Sequence, residues 1–363
     1  MKVALVDGGS FVLPYDYQLA AALVAQGIEV DVFASRTRYN GEFLEAMRAL
    51  PRVTVHDLAI SRTVAPRWRG ALAYLSLLLE LRRRRRDYDA VNLQFSAFWP
   101  FEMILLRSLR HRLVFTVHNP VPHGFPARRH RPTAWLAALA NKLVFVSRFS
   151  RDDFIARYGE RFRAKAELIA HGSAAVQPGL GPVRYALSGP PEALVYWSTV
   201  KPYKGIELFA ELARSPRIQA LGMRLEVHGA WDASLRPLRD ELIGLGVTVD
   251  DRYLDTQSLL ALLARNVVFV LPYREASQSG ALYSLLHHGR LFLCADSGDL
   301  GDFMRRFGLE AMLLRERSAD AVADALERLR RDEAAIVAAF QAAQDASSWA
   351  TAAAAIARVY ASA

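Results

Sequence analysis

The sequence predicts an α/β protein made of two successive parallel sheets, each covered by helices. Three observations carry this. The chain opens on strand, glycine loop, helix and second strand in direct succession, KVALVDGGSFVLPYDYQLAAALVAQGIEVDVFAS, which is one βαβ unit. Short β-branched and aromatic runs then alternate with helical runs. Near the middle, GSAAVQPGLGPVRYALSGPP holds eight Gly or Pro and sustains no period, so one pattern ends there and another begins.

Taken in order, KVALV is the first strand, Gly27 stops the first helix and EVDVFAS is the second strand. AVNLQF, LVFTVH and KLVFVS follow as strands of the first sheet, and AELIA ends near His171. The pattern restarts with strand ALVYWSTV, helix IELFAELARS, strand MRLEVHG, a helix near SLRPLRDELIGL, strand VTVDD, helix SLLALLAR and strand NVVFVLPY. ALYSLLHH reads as a short helix closed by Gly289, LFLCAD as a further strand, and the chain ends in helices. The expected division is a first domain over 1–175, a linker over 176–190, a second domain over 191–345 and a terminal helix over 346–363 that packs back on the first domain.

Composition supports a folded chain too long for one ordinary core: 363 residues, 52% hydrophobic and 23% charged,. The single cysteine, Cys294 in the run LFLCA, excludes an intramolecular disulfide and a cysteine-based zinc site, as fits a reducing cytoplasm,. The start shows no secretion signal, and the longest apolar tract, GALAYLSLLL, stops at Glu80, short of a membrane span. A cytoplasmic chain is the expectation. Its net charge of +9 comes from 41 arginines and five lysines, which leaves nucleic acid, an anionic membrane surface or phosphorylated small molecules as partners. No nucleic-acid recognition motif accompanies the charge.

In open α/β sheets ligands bind where strands end and helices begin. PYREASQSGALYSLLHHG has that address. Glu275 lies just past a buried strand, while Ser279 and Gly280 open the next helix, whose free N–H groups and dipole favour a phosphate. Glu275 would repel that phosphate, so it suits a hydroxyl-bearing neighbour such as a ribose. A solvated surface loop is the plainer reading. STVKPYKGIELF places two of the five lysines, Lys201 and Lys204, after another strand, where an anion would meet a charged donor; ordinary surface lysines with a turn at Gly205 are the alternative.

In the first half, His118 and Asn119 lie directly beyond LVFTV, and His118 is either an acid, base or donor, or a structural histidine at a strand end,. His123 reads as a loop residue, and the pair His171–Gly172 ends the AELIA strand. DGGS over 7–10 resembles a phosphate loop but lacks the GxGxxG spacing, and Arg36 follows the second strand where an NAD-binding acid is expected,. Asp87 and Asp89 form an Asp-x-Asp ahead of a strand, as metal ligands or as ordinary polar residues. RWRGALAYLSLLLELRRRRR joins an apolar helix to Arg82–Arg86; its cationic end complements the helix dipole and also suits anionic lipid.

Taken together, VYWSTVKPYKGIELF, His171–Gly172, TVHNPVPH, FVSRFS and above all LPYREASQSGALYSLLHHG resemble the retaining glycosyltransferases of family four. The resemblance implies the GT-B fold: two Rossmann-like domains facing a central cleft, with a C-terminal helix, here SSWATAAAAIARVY, crossing back to the first. It implies that Glu275 binds a donor ribose, that the backbone at Ser279 and Gly280 binds the diphosphate with Ser277 beside it, and that Lys204 neutralises that diphosphate. His118 matches a histidine near the transferred sugar, Gly8 and Gly9 match the loop beneath acceptor and donor, and His171, Thr199 and Lys201 fall among the donor-binding positions. Thr199 stands where the family has an arginine, and Tyr283 where it has a second acid. The implied activity moves a hexosyl group from a UDP- or GDP-linked sugar to a glycan or lipid-linked acceptor with retention, without a metal and with no nucleic acid as partner. A noncatalytic nucleotide-sugar- or glycan-binding scaffold is the alternative; a sugar-nucleotide epimerase would need acids poised around the sugar ring, and none stands out.

Overall fold

The computed structural model describes residues 1–37, 41–60, 66–121, 131–186 and 189–363. His123 lies outside them. The described chain divides into two compact units, Met1–Gly172 with Gln177–Gly179 and Ser347–Ala363, and Ser173–Val176 with Leu180–Ala346.

In the first unit the strands are β1 (Lys2–Asp7), β2 (Glu29–Ser35), β3 (Val53–Leu58), β4 (Ala90–Leu93), β5 (Leu113–Val117), β6 (Lys142–Phe145) and β7 (Ala166–Leu168). All run parallel in the order β3-β2-β1-β4-β5-β6-β7. The helices between them are α1 (Leu13–Val24), α2 (Gly41–Ala49), α3 (Arg67–Arg83), α4 (Trp99–Leu105), α5 (Arg131–Leu139) and α6 (Arg148–Tyr158). Gly27, at φ +80°, turns the chain out of α1 and into β2, a conformation that glycine adopts at no steric cost.

Alternation of side chains along each strand sends them to two cores. Val3 and Leu5 of β1 pack with α1 and α2 on one face, whereas Ala4 and Val6 pack with Tyr74, Leu77, Leu78 and Leu81 of α3 on the other. Strand β3 goes beyond the sequence expectation. Its run VTVHDL is only half-buried at the sheet edge, so it lacks the apolar continuity that marks the central strands.

At the opposite end of β2 from the glycine loop, Asp31 is buried and receives Arg84 Nη2 at 3.0 Å, Tyr88 Oη at 2.8 Å and Lys2 Nζ at 3.2 Å. Burial opposes its charge, but His56 Nε2 at 3.6 Å and the closer contacts of Tyr88 and Lys2 hold the carboxyl below the ordinary range. Arg84 also binds Glu80 at 3.1 Å and Asp87 at 3.2 Å. Asp89 accepts the Lys2 amide at 2.7 Å. Both carboxylates of the Asp-x-Asp are therefore engaged within the fold, and Arg84 is the inward-facing member of the arginine run.

The second unit holds β8 (Ala193–Trp197), β9 (Arg224–His228), β10 (Thr248–Asp250), β11 (Val268–Leu271), β12 (Phe292–Ala295) and β13 (Leu313–Leu314), parallel in the order β10-β9-β8-β11-β12-β13. Its helices are α7 (Leu208–Arg214), α8 (Pro216–Gln219), α9 (Arg236–Gly244), α10 (Thr256–Leu263), α11 (Gly280–His287), α12 (Gly298–Arg306), α13 (Ala319–Arg331) and α14 (Glu333–Ala346). Leu194, Tyr196, Phe269, Leu271, Phe292 and Cys294 belong to one continuous core. Burial pushes the Cys294 thiol up, so it is an inert apolar filler,.

The last helix, α15 (Trp349–Ala361), belongs to the first unit and packs on α1. Ala353, Ile356, Val359 and Tyr360 face the sheet, and the Tyr360 hydroxyl accepts from Asn92 Nδ2 at 2.6 Å while Thr116 donates to Asn92 Oδ1 at 2.9 Å. No helix among the described residues is long and apolar enough to cross a membrane.

Candidate active site

Each sheet reverses its strand order about its first strand, and the loops beyond the carboxyl ends at that reversal form the ligand crevice of such folds. In the first unit these are the loops after β1 and β4. Ser10, at φ +55°, donates Oγ to Ser35 O at 2.5 Å and accepts from Ser35 N at 2.7 Å, while Ser35 Oγ donates to Gly8 O at 2.6 Å. The serine of DGGS is thus a brace that ties the loop to β2. Gly9 lets the Phe11 ring lie against the loop, since a Cβ there would fall 2.3 Å from it, whereas a Cβ on Gly8 would press only on the end of Ile60, 3.0 Å away.

His118 follows β5 and is buried, with Nε2 2.7 Å from Gln94 Oε1. An amide oxygen only accepts, so this contact selects the tautomer protonated at Nε2. The ring stacks on Phe95 at 4.9 Å, and Phe95 in turn meets Phe11 edge-on at 5.0 Å. Tyr15 of α1 touches His118 at 5.1 Å, His171 at 5.0 Å and Trp349 at 4.9 Å. The first-unit residues singled out in the sequence, Gly8, Gly9, His118 and His171, are thereby gathered around one aromatic cluster. His171 is wholly enclosed, its Nδ1 2.5 Å from Gly172 O, and burial lowers its pKa to about 4. It is neutral at pH 7. Gly172 leaves room for Trp349, since a Cβ there would fall 2.5 Å from the indole.

Beneath the loop lie two buried carboxyls, Asp7 and Asp16. Asp7 Oδ2 accepts the Val12 amide at 3.0 Å, but Asp7 Oδ1 and both Asp16 oxygens meet no hydrogen-bond donor. Burial raises both, and the neighbouring Asp7 charge raises Asp16 further. Two enclosed carboxyls cannot both ionise, so Asp16 carries the proton. Glu102, also buried, accepts from Tyr74 at 2.6 Å, Ser96 at 2.6 Å, Ala97 N at 2.8 Å and Phe98 N at 3.0 Å, which fixes the loop after β4. The sequence reading misses Gln94, Asp7, Asp16 and Glu102. The available signal was an acid within an apolar run, as in PYDYQLAAAL.

In the second unit the loops after β8 and β11 meet. Gly205, at φ +67°, abuts Pro272: a Cβ there would lie 2.0 Å from the Pro272 carbonyl oxygen. Arg274 N donates to Tyr203 O at 2.9 Å. Lys204 reaches across, with Nζ 2.5 Å from Ser198 Oγ and 3.4 Å from Tyr273 Oη, 4.6 Å above the Tyr273 ring. The lysine loop therefore packs on Pro272, Tyr273 and Arg274, directly ahead of the EASQSG stretch. Ser279 caps α11, its Oγ accepting from Leu282 N at 3.4 Å, and Gly280 is the first residue of that helix, where backbone N–H groups have no acceptor within the helix. Ser277 is buried, whereas Thr199, Lys201, Glu275 and Gly280 are exposed. Tyr283 is turned into the core against Phe303, and burial raises its phenol. At the other end of α11, His287 contacts Ser173 Oγ at 3.1 Å and Leu180 O at 3.0 Å, while His288 Nε2 accepts from Val176 N at 3.2 Å. The His-His pair thus anchors the segment that leads into this unit. Among the described residues no group of three or more His, Cys, Asp or Glu is placed to hold a metal.

Residues 15–172 match the family model described as Glycosyltransferase Family 4. A search of curated protein sequences gave no match. Among solved structures the chain is similar to HepE of Anabaena in complex with UDP and glucose, at 16% identity and TM-score 0.67 over 99% of this chain and 97% of that one. It is similar also to sucrose-phosphate synthase of Thermosynechococcus elongatus, at 17% identity and TM-score 0.68 over 99% and 98%. WaaG, a glycosyltransferase involved in lipopolysaccharide biosynthesis, matches at 12% identity and TM-score 0.60 over 96% and 95%. Over residues 15–172 the chain is thus similar in sequence to glycosyltransferase family four, and over its whole length it shares the two-domain GT-B fold of these structures.

Proposed function

We propose that the protein transfers a hexosyl group from a UDP- or GDP-linked sugar to a hydroxyl of a glycan or lipid-linked acceptor, with retention at the anomeric carbon, on the cytoplasmic side of a membrane. The observation that carries this is the packing of the Lys204 loop on the start of the segment that leads into α11, through the Gly205–Pro272 and Tyr203–Arg274 contacts. A point charge and a helix N-terminus together suit a diphosphate. HepE has been solved with UDP-glucose, which supports a nucleotide sugar as the donor.

In this reading Glu275 takes the ribose hydroxyls, and Ser277, Ser279 and Gly280 hold the diphosphate with Lys204; Thr199 and Lys201 border it. His118 and the Gly8–Gly9 loop serve the sugar and acceptor, with His171 behind them. The acceptor oxygen bonds to the anomeric carbon as the bond from that carbon to the phosphate oxygen breaks, and the acceptor proton passes to the departing diphosphate. Lys204 and the α11 amides stabilise the charge that grows on the leaving group, so no metal is required.

Thermal-shift screening of nucleotide sugars, followed by turnover assays of nucleotide release with and without EDTA, tests the proposal. Donor-dependent stabilisation with release into an acceptor, retained in EDTA, is expected. Stabilisation without turnover across acceptor classes favours a binding-only scaffold, and loss in EDTA restored by magnesium or manganese overturns the metal-free mechanism.

A further inference from the structure

Three of the six tryptophans are exposed, and all three stand on α3, α4 and α5, neighbouring helices on one side of the first sheet. Trp68, Leu72 and Leu79 recur on α3 at steps of four and seven, so at 3.6 residues per turn they form one stripe. The stripe faces away from Tyr74, Leu77, Leu78 and Leu81, which fill the core. Trp68 is 61% exposed, Leu72 56% and Leu79 49%. Beside it, α4 presents Trp99 and Ile104, the latter 67% exposed, and Trp99 packs against Trp135 of α5 at 4.7 Å. Scattered single apolar residues need no explanation, but a contiguous group of this kind marks an interaction surface.

Charge identifies the partner. Arg69 lies 5.0 Å over the Trp68 ring, and Arg82, Arg83, Arg85 and Arg86 are exposed where the α3 stripe ends. The described carboxylates beside this face are committed elsewhere: Glu80 and Asp87 bind Arg84, and Glu102 is buried under four donors. An apolar stripe with tryptophans, bordered by arginines whose neighbouring described acids pair with Arg84 or are buried, fits the headgroup layer of an anionic bilayer, where indoles sit at the interface and guanidinium groups meet lipid phosphates,. A protein partner would leave those arginines to be matched by acids of its own.

We propose that the outer face of α3, α4 and α5, through Trp68, Leu72, Leu79, Trp99, Ile104 and Trp135 with Arg82, Arg83, Arg85 and Arg86, is a docking surface for an anionic phospholipid bilayer. The inference deepens the proposed work at a membrane, yet it needs no donor or acceptor to be tested. Arg84 is excluded, since it is committed to Asp31.

The experiment is cosedimentation of the full chain with vesicles of pure phosphatidylcholine or of equal phosphatidylcholine and phosphatidylglycerol, at low and high salt, with tryptophan emission followed in parallel. The wild type should bind the anionic vesicles with a blue shift and weaken as salt rises. Changing Arg82, Arg83, Arg85 and Arg86 together to Gln should lower partitioning about a hundredfold, the factor for three of four engaged arginines. The triple variant Trp68→Ser, Leu72→Ser, Leu79→Ser should lose the blue shift while keeping wild-type circular dichroism and nucleotide-sugar thermal shift. Equal binding by all three proteins, or no binding by the wild type, overturns the proposal. So does a lipid-free dimer in sedimentation velocity that the triple variant abolishes, because the face then belongs to a second copy.

Discussion

Gly205 packs directly on the carbonyl of Pro272, and this contact joins the lysine loop after β8 to the loop that leads from β11 into α11. Any side chain at 205 would collide with that backbone at 2.0 Å while holding the left-handed φ of +67°. Gly205→Ala therefore carries about 1–2 kcal/mol of backbone strain plus the displacement of one loop. The expected outcome is a tenfold or greater loss of donor affinity by calorimetry, with the Lys204 ammonium moved off its partners. Unchanged affinity would show that the two loops bind donor independently.

Glu275 is exposed in the loop ahead of α11, so its truncation leaves no cavity. If it accepts hydrogen bonds from a donor ribose, Glu275→Ala should weaken nucleotide-sugar binding by about 1.5–3 kcal/mol and leave the melting temperature of the ligand-free chain in place. Donor affinity equal to wild type would remove Glu275 from the ribose.

The arginine run separates into one structural residue and its neighbours. Asp31 accepts from Arg84, Tyr88 and Lys2 in a buried setting, so Arg84→Gln should cost roughly 1–3 kcal/mol in urea unfolding at pH 7, whereas Arg85→Gln should fall within about 0.5 kcal/mol of wild type. The pH dependence has a definite sign. The folded Asp31 carboxyl is depressed, so its contribution is present above the ordinary aspartate value and is lost as pH falls through the folded one. Asp31→Asn should flatten the acid side of the stability curve, and an unaltered acid limb would contradict the assignment.

Much of this architecture is legible in the sequence because its signals are local. The βαβ opening, the Gly27 stop and the apolar runs of β1, β5, β8 and β11 follow from period and composition, and the loops at the strand ends follow from those. The EASQSG loop stands where the strand-to-helix reading placed it. What escapes is set by contacts distant in sequence. β3 is half-polar because it lies at an edge, His118 takes its hydrogen-bond partner from Gln94 just past the neighbouring strand β4, and Tyr15 meets Trp349 from the far end of the chain. The arginine run shows the same limit: composition presents five equal charges, and only the fold turns Arg84 onto Asp31.

The buried pair beneath the glycine loop gives the last prediction. Asp16 is held above the ordinary aspartate value by burial and by the charge of Asp7. The other groups that face it, Tyr15 and Tyr360, are raised by burial and stay neutral. A carboxyl raised on folding contributes stability that is full below its unfolded pKa of about 3.9 and is lost as pH rises through the folded value. Within that window the folded chain keeps a proton that the unfolded chain releases, which costs the wild type about 1.4 kcal/mol per pH unit. Asp16→Asn, of the same shape and permanently neutral, does not titrate. Its stability relative to wild type should therefore climb between pH 4 and the folded value, when urea unfolding is compared at about pH 5, 6 and 7. Because Asp7 Oδ2 holds the Val12 amide, Asp7→Ala should instead loosen the Gly8–Gly9 loop and lower stability at every pH. Parallel curves for Asp16→Asn and wild type would mean that Asp16 is ionised in the folded chain, and its proton would have to be abandoned.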